Sequence, residues 1–229
     1  MRSWCRPGSR TSTRTATLDR EQLAGPTLDA ARTLLGARLV RDDATGRRVA
    51  RITELEAYIG ETDRASHARF GRTARNDVMY GPAGHAYVYL VYGMHDCLNV
   101  VTEPAGSPAA LLIRAVEPLE GIEAMRLDRV LRAGRSRRDW TPERAARAAQ
   151  RLARLPASEL AVGPGLVTAA FGIDTAWTGL DLCDPSSALG LEARPAGELL
   201  DIRTSPRIGI DYAGEPWISR PWRFTIPPR

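Results

Sequence analysis

The chain has 229 residues, 43% of them hydrophobic and 26% charged, which is typical of one globular domain with a substantial core. It contains no apolar run of about 18 residues, so the sequence predicts no membrane-spanning helix and no membrane association. Its 32 basic and 27 acidic residues give a net charge of +5, and this excess favours a polyanionic partner.

The N-terminus and the cysteines bear on where the protein works. Met1 to Thr17 is rich in Arg, Ser and Thr and has no apolar stretch. It therefore predicts a disordered basic leader instead of a secretory signal, followed by a single domain over residues 18–229. Cys5, Cys97 and Cys183 are odd in number and scattered, which argues against disulfides and against a metal site. We expect a cytoplasmic protein with no metal or other cofactor.

The N-terminal half is predicted to hold one helix and two β-hairpins. In chain order these are the helix Leu28–Leu35, the hairpin of Ala37–Arg41 with Arg48–Tyr58, the polar loop Glu61–Ala83, and the hairpin of Tyr87–Tyr92 with Cys97–Val101.

The C-terminal half is predicted to begin with a strand, continue through three helices and end in strands. In chain order these are Ala110–Val116, ended by Pro118, then the helices Glu120–Leu131, Thr141–Leu155 and Leu166–Phe171, then the strands Leu199–Thr204, Ile208–Tyr212 and Arg223–Ile226. Strands dominate the middle and the end of the chain, with helices inserted. The predicted class is therefore α+β, a single domain with a curved, largely antiparallel sheet and surrounding helices.

One predicted strand carries two carboxylates. Strand alternation places Glu54, Glu56 and Tyr58 on one face. Leu55 and Ala57 then lie on the other face, which can pack on the core. Two carboxylates and a phenol that lead into a long loop suit acid–base chemistry at a cleft, and a solvated strand face is the alternative.

Aromatic residues crowd the second predicted hairpin. Tyr92 falls on the opposite face to Tyr87 and Tyr89, directly before a turn at Gly93, where an aromatic ring can wedge between stacked bases. Core packing is the alternative, above all for Tyr87 and Tyr89. His67 lies in the preceding loop, close enough in sequence to the carboxylates to join a site, although a structural role is the commoner one.

Several polar residues stand in unexpected positions. Asn99 and Arg114 lie inside otherwise apolar strands, where each needs a partner or a ligand. Gly163–Gly165 (GPG) opens a short helix and offers backbone N–H groups to an anion, with a plain loop as the alternative. A basic stripe on the helix Thr141–Leu155 suits either phosphate contact or a solvated face; its members are Arg144, Arg147, Arg151 and Arg154.

Taken together, these segments resemble the alkyladenine (3-methyladenine) DNA glycosylase family, the class distinct from the helix-hairpin-helix glycosylases. The resemblance runs from about Leu28 to Phe224. Its densest blocks are Glu54–Tyr58 (ELEAY), Ala65–Ala68 (ASHA), Tyr87–Asn99 (YVYLVYGMHDCLN), Leu111–Gly121 (LLIRAVEPLEG), Gly163–Pro164, Arg207–Ile210 (RIGI) and Ala213–Glu215.

The resemblance implies catalytic and DNA-distorting roles for five residues. Glu56 matches the general base that activates water, and Arg114 matches the arginine that helps to hold the water and the carboxylate. The backbone carbonyl of Ile208 matches a further ligand of that water. Tyr92 matches the residue inserted where the flipped nucleotide stood, with Met94 beside it.

The resemblance also implies a pocket for the flipped base. Tyr58, His67 and Tyr89 match the aromatic walls between which that base stacks. Asn99 matches the amide that disfavours guanine by meeting its exocyclic amine. The implied substrate is an alkylated or deaminated purine in double-stranded DNA, and the implied reaction is hydrolysis of its N-glycosidic bond through an oxocarbenium-like state.

The absence of lysine bears on the type of glycosylase, since all 32 basic residues are arginines. A glycosylase that also nicks the strand usually needs an amine to form a Schiff base with the sugar. We therefore predict a monofunctional, water-using enzyme. We also expect it to act as a monomer at the nucleoid. The main alternative is a non-enzymatic protein that kinks DNA with Tyr92. Glu56 argues against it, because a carboxylate facing DNA is electrostatically unfavourable unless it does chemistry.

Overall fold

The structure, a computed structural model, describes residues 16–135 and 137–229. The predicted basic leader lies outside the described residues except for its last two positions. There Thr17 forms a β-bridge with Glu192, and the Ala16 carbonyl accepts a hydrogen bond from the Ala193 N–H at 2.8 Å. The described chain is thus paired with the rest of the domain from its first residues.

Eight strands of the described chain form one sheet in which every pairing is antiparallel. The order is β3-β4-β5-β2-β1-β6, and β8 pairs with β2 and with β7. This arrangement confirms the predicted α+β class. The strands are β1 (Arg38–Asp43), β2 (Gly46–Ile59), β3 (Ala86–Val91), β4 (His95–Val101), β5 (Ala109–Glu120), β6 (Leu189–Glu192), β7 (Arg203–Ser205) and β8 (Arg223–Thr225).

Five α-helices surround the sheet in the described chain: α1 (Glu21–Ala24), α2 (Thr27–Leu34), α3 (Ile122–Arg135), α4 (Pro142–Arg154) and α5 (Pro164–Ala170). The helix α5 packs on β4, β5 and α3, and α4 packs on α3. No helix within residues 16–135 and 137–229 is long and apolar enough to cross a membrane.

Alternate residues of each strand point to opposite faces of the sheet, and the two faces pack against different groups of residues. Leu55, Ala57 and their counterparts on β3, β4 and β5 are buried in the main hydrophobic core. The opposite face carries smaller clusters that include Tyr58 and Tyr89. The predicted alternation of β2 is confirmed for Glu56 and Tyr58, which share the face that does not join the main core. Glu54, the third residue of that prediction, lies between two register shifts.

Two strand predictions in the C-terminal third were wrong. Ile208–Tyr212 is not a strand, because Gly209 has a φ of 74° and a 3₁₀ turn begins at Asp211. Within the predicted strand Leu199–Thr204, only its last two residues belong to one, β7. Short alternating apolar runs of this kind do not distinguish an irregular loop from a strand, since no tertiary partner is visible in the sequence.

β5 also runs beyond its predicted end. Pro118 pairs with Ala50, and the register between β2 and β5 shifts between Val49 and Ala50. A proline is tolerated in a strand at such an irregularity, because the ladder there does not require its missing N–H.

Two further register shifts between β2 and β5 lie next to Glu54. Glu54 pairs with Ala115 and Leu55 pairs with Ile113, so Thr53 on β2 and Arg114 on β5 are each skipped. A bulge re-aims a side chain relative to regular pleating. At this pair of bulges the guanidinium of Arg114 reaches the carboxylates of β2.

Candidate active site

A pocket opens over the second face of the sheet, and its walls are rich in aromatic rings. It is bounded by β3, β4 and β5, by the loop after β2 and by the segment between β7 and β8. Aromatic walls with a few convergent polar groups are typical of a site for a flat ligand. The aromatic residues that line it are Tyr58, His67, Tyr87, Tyr89, Tyr92 and Tyr212.

Glu56 lies beneath this pocket with 0% of its surface exposed. One carboxylate oxygen, Oε2, accepts hydrogen bonds from the Tyr58 hydroxyl at 2.9 Å and from Arg114 Nη1 at 3.2 Å. The other, Oε1, accepts one from the Ile208 N–H at 2.7 Å. These three donors line the pocket, so the carboxylate is held directly behind its surface.

Arg114 joins Glu56 to a second carboxylate. Its Nε donates to Glu54 Oε1 at 2.8 Å, and Arg223 Nε from β8 donates to the same oxygen at 2.7 Å. Burial favours the neutral form of Glu54, but the hydrogen bonds and charges of Arg223 and Arg114 outweigh it and lower its pKa. Burial likewise opposes the charge of Arg114, whereas Glu56 and Glu54 raise its pKa. The four groups therefore form a chain of alternating charges.

The segment that carries the Ile208 amide is fixed by a fully buried ion pair. Arg207 donates from both terminal nitrogens to Asp63, at 2.6 and 2.9 Å, and to the Ala57 carbonyl at 2.8 Å. Its guanidinium also lies 4.7 Å from the Tyr58 ring centroid. Arg207 thus holds both the amide and the phenol that contact Glu56.

Tyr58 remains a hydrogen-bond donor over the physiological pH range. Burial and the adjacent Glu56 charge raise its pKa well above its usual value. The phenol therefore stays protonated and gives its proton to the carboxylate instead of competing with it for one.

His67 and Tyr89 form one wall of the pocket. Their ring centroids are 4.4 Å apart in an edge-to-face contact, and His67 Nδ1 lies 2.8 Å from the Tyr87 hydroxyl. Burial, together with the nearby charges of Arg75 and Arg69, lowers the pKa of His67 from 6.5 to about 4. The imidazole is therefore neutral near pH 7.

Asn99 is buried at the base of the pocket wall. Its Nδ2 donates to the carbonyls of Tyr87, at 3.0 Å, and Cys97, at 3.3 Å. Two bonds from one nitrogen fix the plane of the amide, so the side chain is a rigid part of the lining.

Tyr92 occupies the tip of the β3–β4 hairpin, at the pocket mouth, with 88% of its surface exposed. Tyr92 and Gly93 have φ values of 50° and 68°, and the Met94 N–H donates to the Val91 carbonyl at 3.0 Å. Positive φ at both central positions is that of a type I′ turn, which tyrosine adopts at a cost of about 1–2 kcal/mol. Core packing, the alternative for Tyr92, is excluded by its exposure.

The predicted residues do not all meet in one place. Tyr58, His67, Tyr89, Tyr92, Asn99, Arg114 and Ile208 line the pocket, and Glu56 lies behind it. Met94, 57% exposed, borders a separate groove on the other side of the hairpin, beside Arg132 and Arg135.

The predicted anion site at Gly163–Gly165 has fewer free donors than expected and stays a prediction. The Gly163 N–H already donates to the Arg114 carbonyl at 2.8 Å, and Pro164 has no N–H. The segment also ties the start of α5 to the strand that carries Arg114. The predicted basic stripe does lie on the exposed surface of α4, and Arg144 is paired there with Asp139.

Sequence reasoning missed four contributors: Asp63, Arg207, Tyr212 and Arg223. Arg207 lies in one of the blocks that resemble the family, Arg207–Ile210, but the resemblance implied no role for it. A single Asp in a polar loop or an Arg in a short strand gives no periodic signal, so only the tertiary contacts reveal them. Within the described residues, no group of three or more His, Cys, Asp or Glu side chains is arranged to hold a metal ion.

Two comparisons with known proteins identify the family of the chain. The model of the methylpurine-DNA glycosylase family matches residues 21–229. The chain belongs to that family. A protein from Methanocella arvoryzae, named "Putative 3-methyladenine DNA glycosylase", is 47% identical over 207 residues, with 90% of each chain covered. Proteins of the same name from Myxococcus xanthus and Streptomyces avermitilis are 42% and 40% identical, and the matches cover 89% and 91% of this chain and 86% and 87% of theirs.

Membership of the methylpurine-DNA glycosylase family confirms the predicted enzyme class, a hydrolase of the N-glycosyl bonds of damaged purines in DNA. It disfavours the alternative of a non-enzymatic DNA-kinking protein. A second alternative, an O-glycoside hydrolase that uses Glu54 and Glu56, does not fit the geometry either. Arg114 joins the two carboxylates on one side of the pocket, so they cannot flank a sugar.

Glu54 is expected to act through the position of Arg114. In the Glu54→Gln variant the amide oxygen still accepts from both guanidinium groups, so single-turnover release of 7-methylguanine should fall less than about 5-fold. Glu54→Ala frees Arg114 and should reduce the rate roughly 10- to 100-fold. Glu61→Ala, which removes an exposed carboxylate bonded to Tyr80, is the control. Equal rates for Glu54→Ala and the control would contradict this role.

His67 is expected to titrate near pH 4, and its ring proton chemical shifts in NMR would report this directly. Because its pKa in the folded protein lies below the unfolded value of 6.5, the unfolded state takes up the proton first as the pH falls. The free energy of unfolding should therefore decline between about pH 6.5 and pH 4, and His67→Gln should reduce that slope. A midpoint at or above 6.5 would contradict the buried neutral ring.

Proposed function

We propose that the chain flips an alkylated purine out of duplex DNA into the aromatic pocket and hydrolyses its N-glycosidic bond with a water activated by Glu56. The observation that carries the proposal is a buried carboxylate, held by three donors, directly behind a pocket of aromatic rings. The proposed product is an intact strand with an abasic site.

The three hydrogen bonds of Glu56 leave one of its acceptor sites unused. A carboxylate offers about four lone-pair sites, and the Tyr58 hydroxyl, the Arg114 guanidinium and the Ile208 amide occupy three. The fourth can accept a proton from a water that enters between these donors. The anionic form also stabilises the positive charge that develops on the sugar as the bond breaks.

The structure adds a role for Ile208. The family resemblance implied that its backbone carbonyl binds the water, whereas the structure has its N–H bonded to Glu56. We infer that the Ile208 N–H binds the carboxylate and that its carbonyl binds the water, because the two groups of one residue belong to successive peptide planes and can face different partners.

The pocket walls suit a cationic base. Alkylation at N3 or N7 gives a purine a positive charge, and the faces of Tyr58 and Tyr89 attract cations. His67 is neutral at physiological pH, so it adds a ring surface without repelling that charge. A neutral lesion such as hypoxanthine would enter the same walls but needs a proton before it can leave.

Asn99 is proposed to disfavour guanine. Its amide cannot rotate away because Nδ2 is bonded to two carbonyls. The exocyclic amine at C2 of guanine must then meet a fixed group, whereas adenine derivatives have no amine at that position. In 7-methylguanine the same cost is offset by the positive charge, which the aromatic walls attract.

The composition supports hydrolysis without strand cleavage. The chain contains no lysine, so no side-chain amine can form a Schiff base with the opened sugar. We propose a monofunctional enzyme that acts as a monomer on the nucleoid.

The mechanism predicts that Glu56→Gln retains lesion binding and loses base release by at least about 1000-fold, because the amide keeps the shape but not the basicity. Single-turnover excision from a duplex with 7-methylguanine measures the loss, and fluorescence anisotropy measures the binding. Excision by Glu56→Gln at a rate close to that of the wild type would overturn the assignment.

The wedge role of Tyr92 can be separated from its backbone strain. Tyr92→Gly and Tyr92→Ala both remove the ring, but glycine adopts positive φ freely, so the glycine variant should be more stable to urea by about 1 kcal/mol. Both should lower the flipped population, measured with a fluorescent base analogue at the target. Tyr92→Phe, which keeps the ring, is the control. If Tyr92→Gly flips the base as well as Tyr92→Phe does, the ring is not the wedge.

A further inference from the structure

A second group of exposed aromatic rings stands at the pocket mouth. The guanidinium of Arg69 lies 4.5 Å from the ring centroid of Phe70 and 5.4 Å from that of Tyr212. Phe70 is 81% and Tyr212 64% exposed, and Tyr212 lines the pocket. We call Arg69, Phe70 and Tyr212 the rim cluster.

The rim cluster is not explained by the stability of the fold. Phe70 packs into none of the hydrophobic clusters of the described chain, so its ring contributes little by burial. Large exposed apolar groups that adjoin a binding pocket mark contact surfaces more often than isolated ones do. The reaction as proposed above uses none of these three residues.

Arg69 supplies charge at the same place. Its Nη1 donates to the Ser66 carbonyl at 3.4 Å, and no carboxylate of the described residues forms an ion pair with it. The two rings lie against the guanidinium, whose N–H groups point outward in its plane, and a guanidinium has five such donors. A pinned cation with free donors matches the geometry of a phosphate oxygen pair.

The geometry points to the rim cluster as a contact surface for the lesion-bearing strand next to the flipped nucleotide. Arg69 binds a phosphate of that strand, and Phe70 stacks on the neighbouring sugar or base. This inference rests on the proposed function, since it takes the flipped nucleotide to enter the pocket beside Tyr212. Arginine–phosphate contact combined with aromatic stacking is how proteins hold unpaired nucleotides.

The rim cluster and Tyr92 should differ in which DNA they require. Tyr92 fills a gap in a duplex stack, which exists only when an opposite strand is present. The rim cluster contacts one strand, so its contribution to affinity should be the same in single-stranded and duplex DNA.

The test uses Glu56→Gln as the background, so that 7-methylguanine oligonucleotides stay intact during anisotropy titrations. Adding Phe70→Ala should weaken binding roughly 5- to 20-fold on single-stranded and duplex DNA alike. Adding Arg69→Gln should reduce the slope of log K against log salt by about 0.7 on single-stranded DNA and about 0.9 on duplex. Leu199→Ala, which removes an apolar side chain that is 97% exposed outside the pocket lining, is the matched control.

Kinetics in the wild-type background completes the test. Phe70→Ala and Arg69→Gln should raise the enzyme concentration needed for half-maximal single-turnover excision and leave the maximal rate unchanged. Binding equal to that of Leu199→Ala, a loss confined to duplex DNA, or a lower maximal rate with unchanged affinity would each overturn the inference. Normal excision by Glu56→Gln would instead overturn the proposed function, and the inference about the rim cluster would then be judged by the kinetics in the wild-type background alone.

Discussion

The carboxylate of Glu56 holds its position in the interior of the protein, with none of its surface exposed. An unpaired charge there would be costly enough to unfold a protein of this size, so the surrounding structure must supply donors at fixed positions. A phenol, a guanidinium and a backbone amide do so, and they come from β2, β5 and the segment before β8. Because both oxygens of Glu56 need hydrogen-bond donors, three segments that are distant in sequence must meet around this carboxylate.

Each donor is itself held by another ionic contact. Arg114 is fixed by Glu54, which is in turn fixed by Arg223 on β8. The Ile208 amide is fixed by its neighbour Arg207, whose partner Asp63 also accepts from the N–H groups of Ile59 and Ala65. The groups that line the pocket are thereby pre-organised by residues that do not line it themselves. Distortion of these ion pairs would displace the donors of Glu56 before it disturbed the hydrophobic core.

Local pattern in the sequence predicted much of this arrangement, and long-range pairing accounts for the rest. Alternation along β2 placed Glu56 and Tyr58 on one face because the strand is long and its other face is apolar. The paired bulges that orient Arg114 could not be predicted from the residue types, since they depend on the register between two strands. The same holds for Asp63 and Arg207, which are 144 positions apart, and for Ile208–Tyr212, whose apolar spacing imitates a strand.

The sequence separation of these contacts affects the order in which they form during synthesis of the enzyme. Glu56 and the Ile208 amide are 152 positions apart. Domains form their nearby contacts early during synthesis, and closing a long loop comes late. The β3–β4 hairpin and most of the pocket wall are therefore translated well before Ile208, the last of the donors that bind Glu56. We expect a nascent chain still held by the ribosome to have formed the aromatic wall of β3 and β4 while the Glu56 carboxylate still lacks one of its three donors.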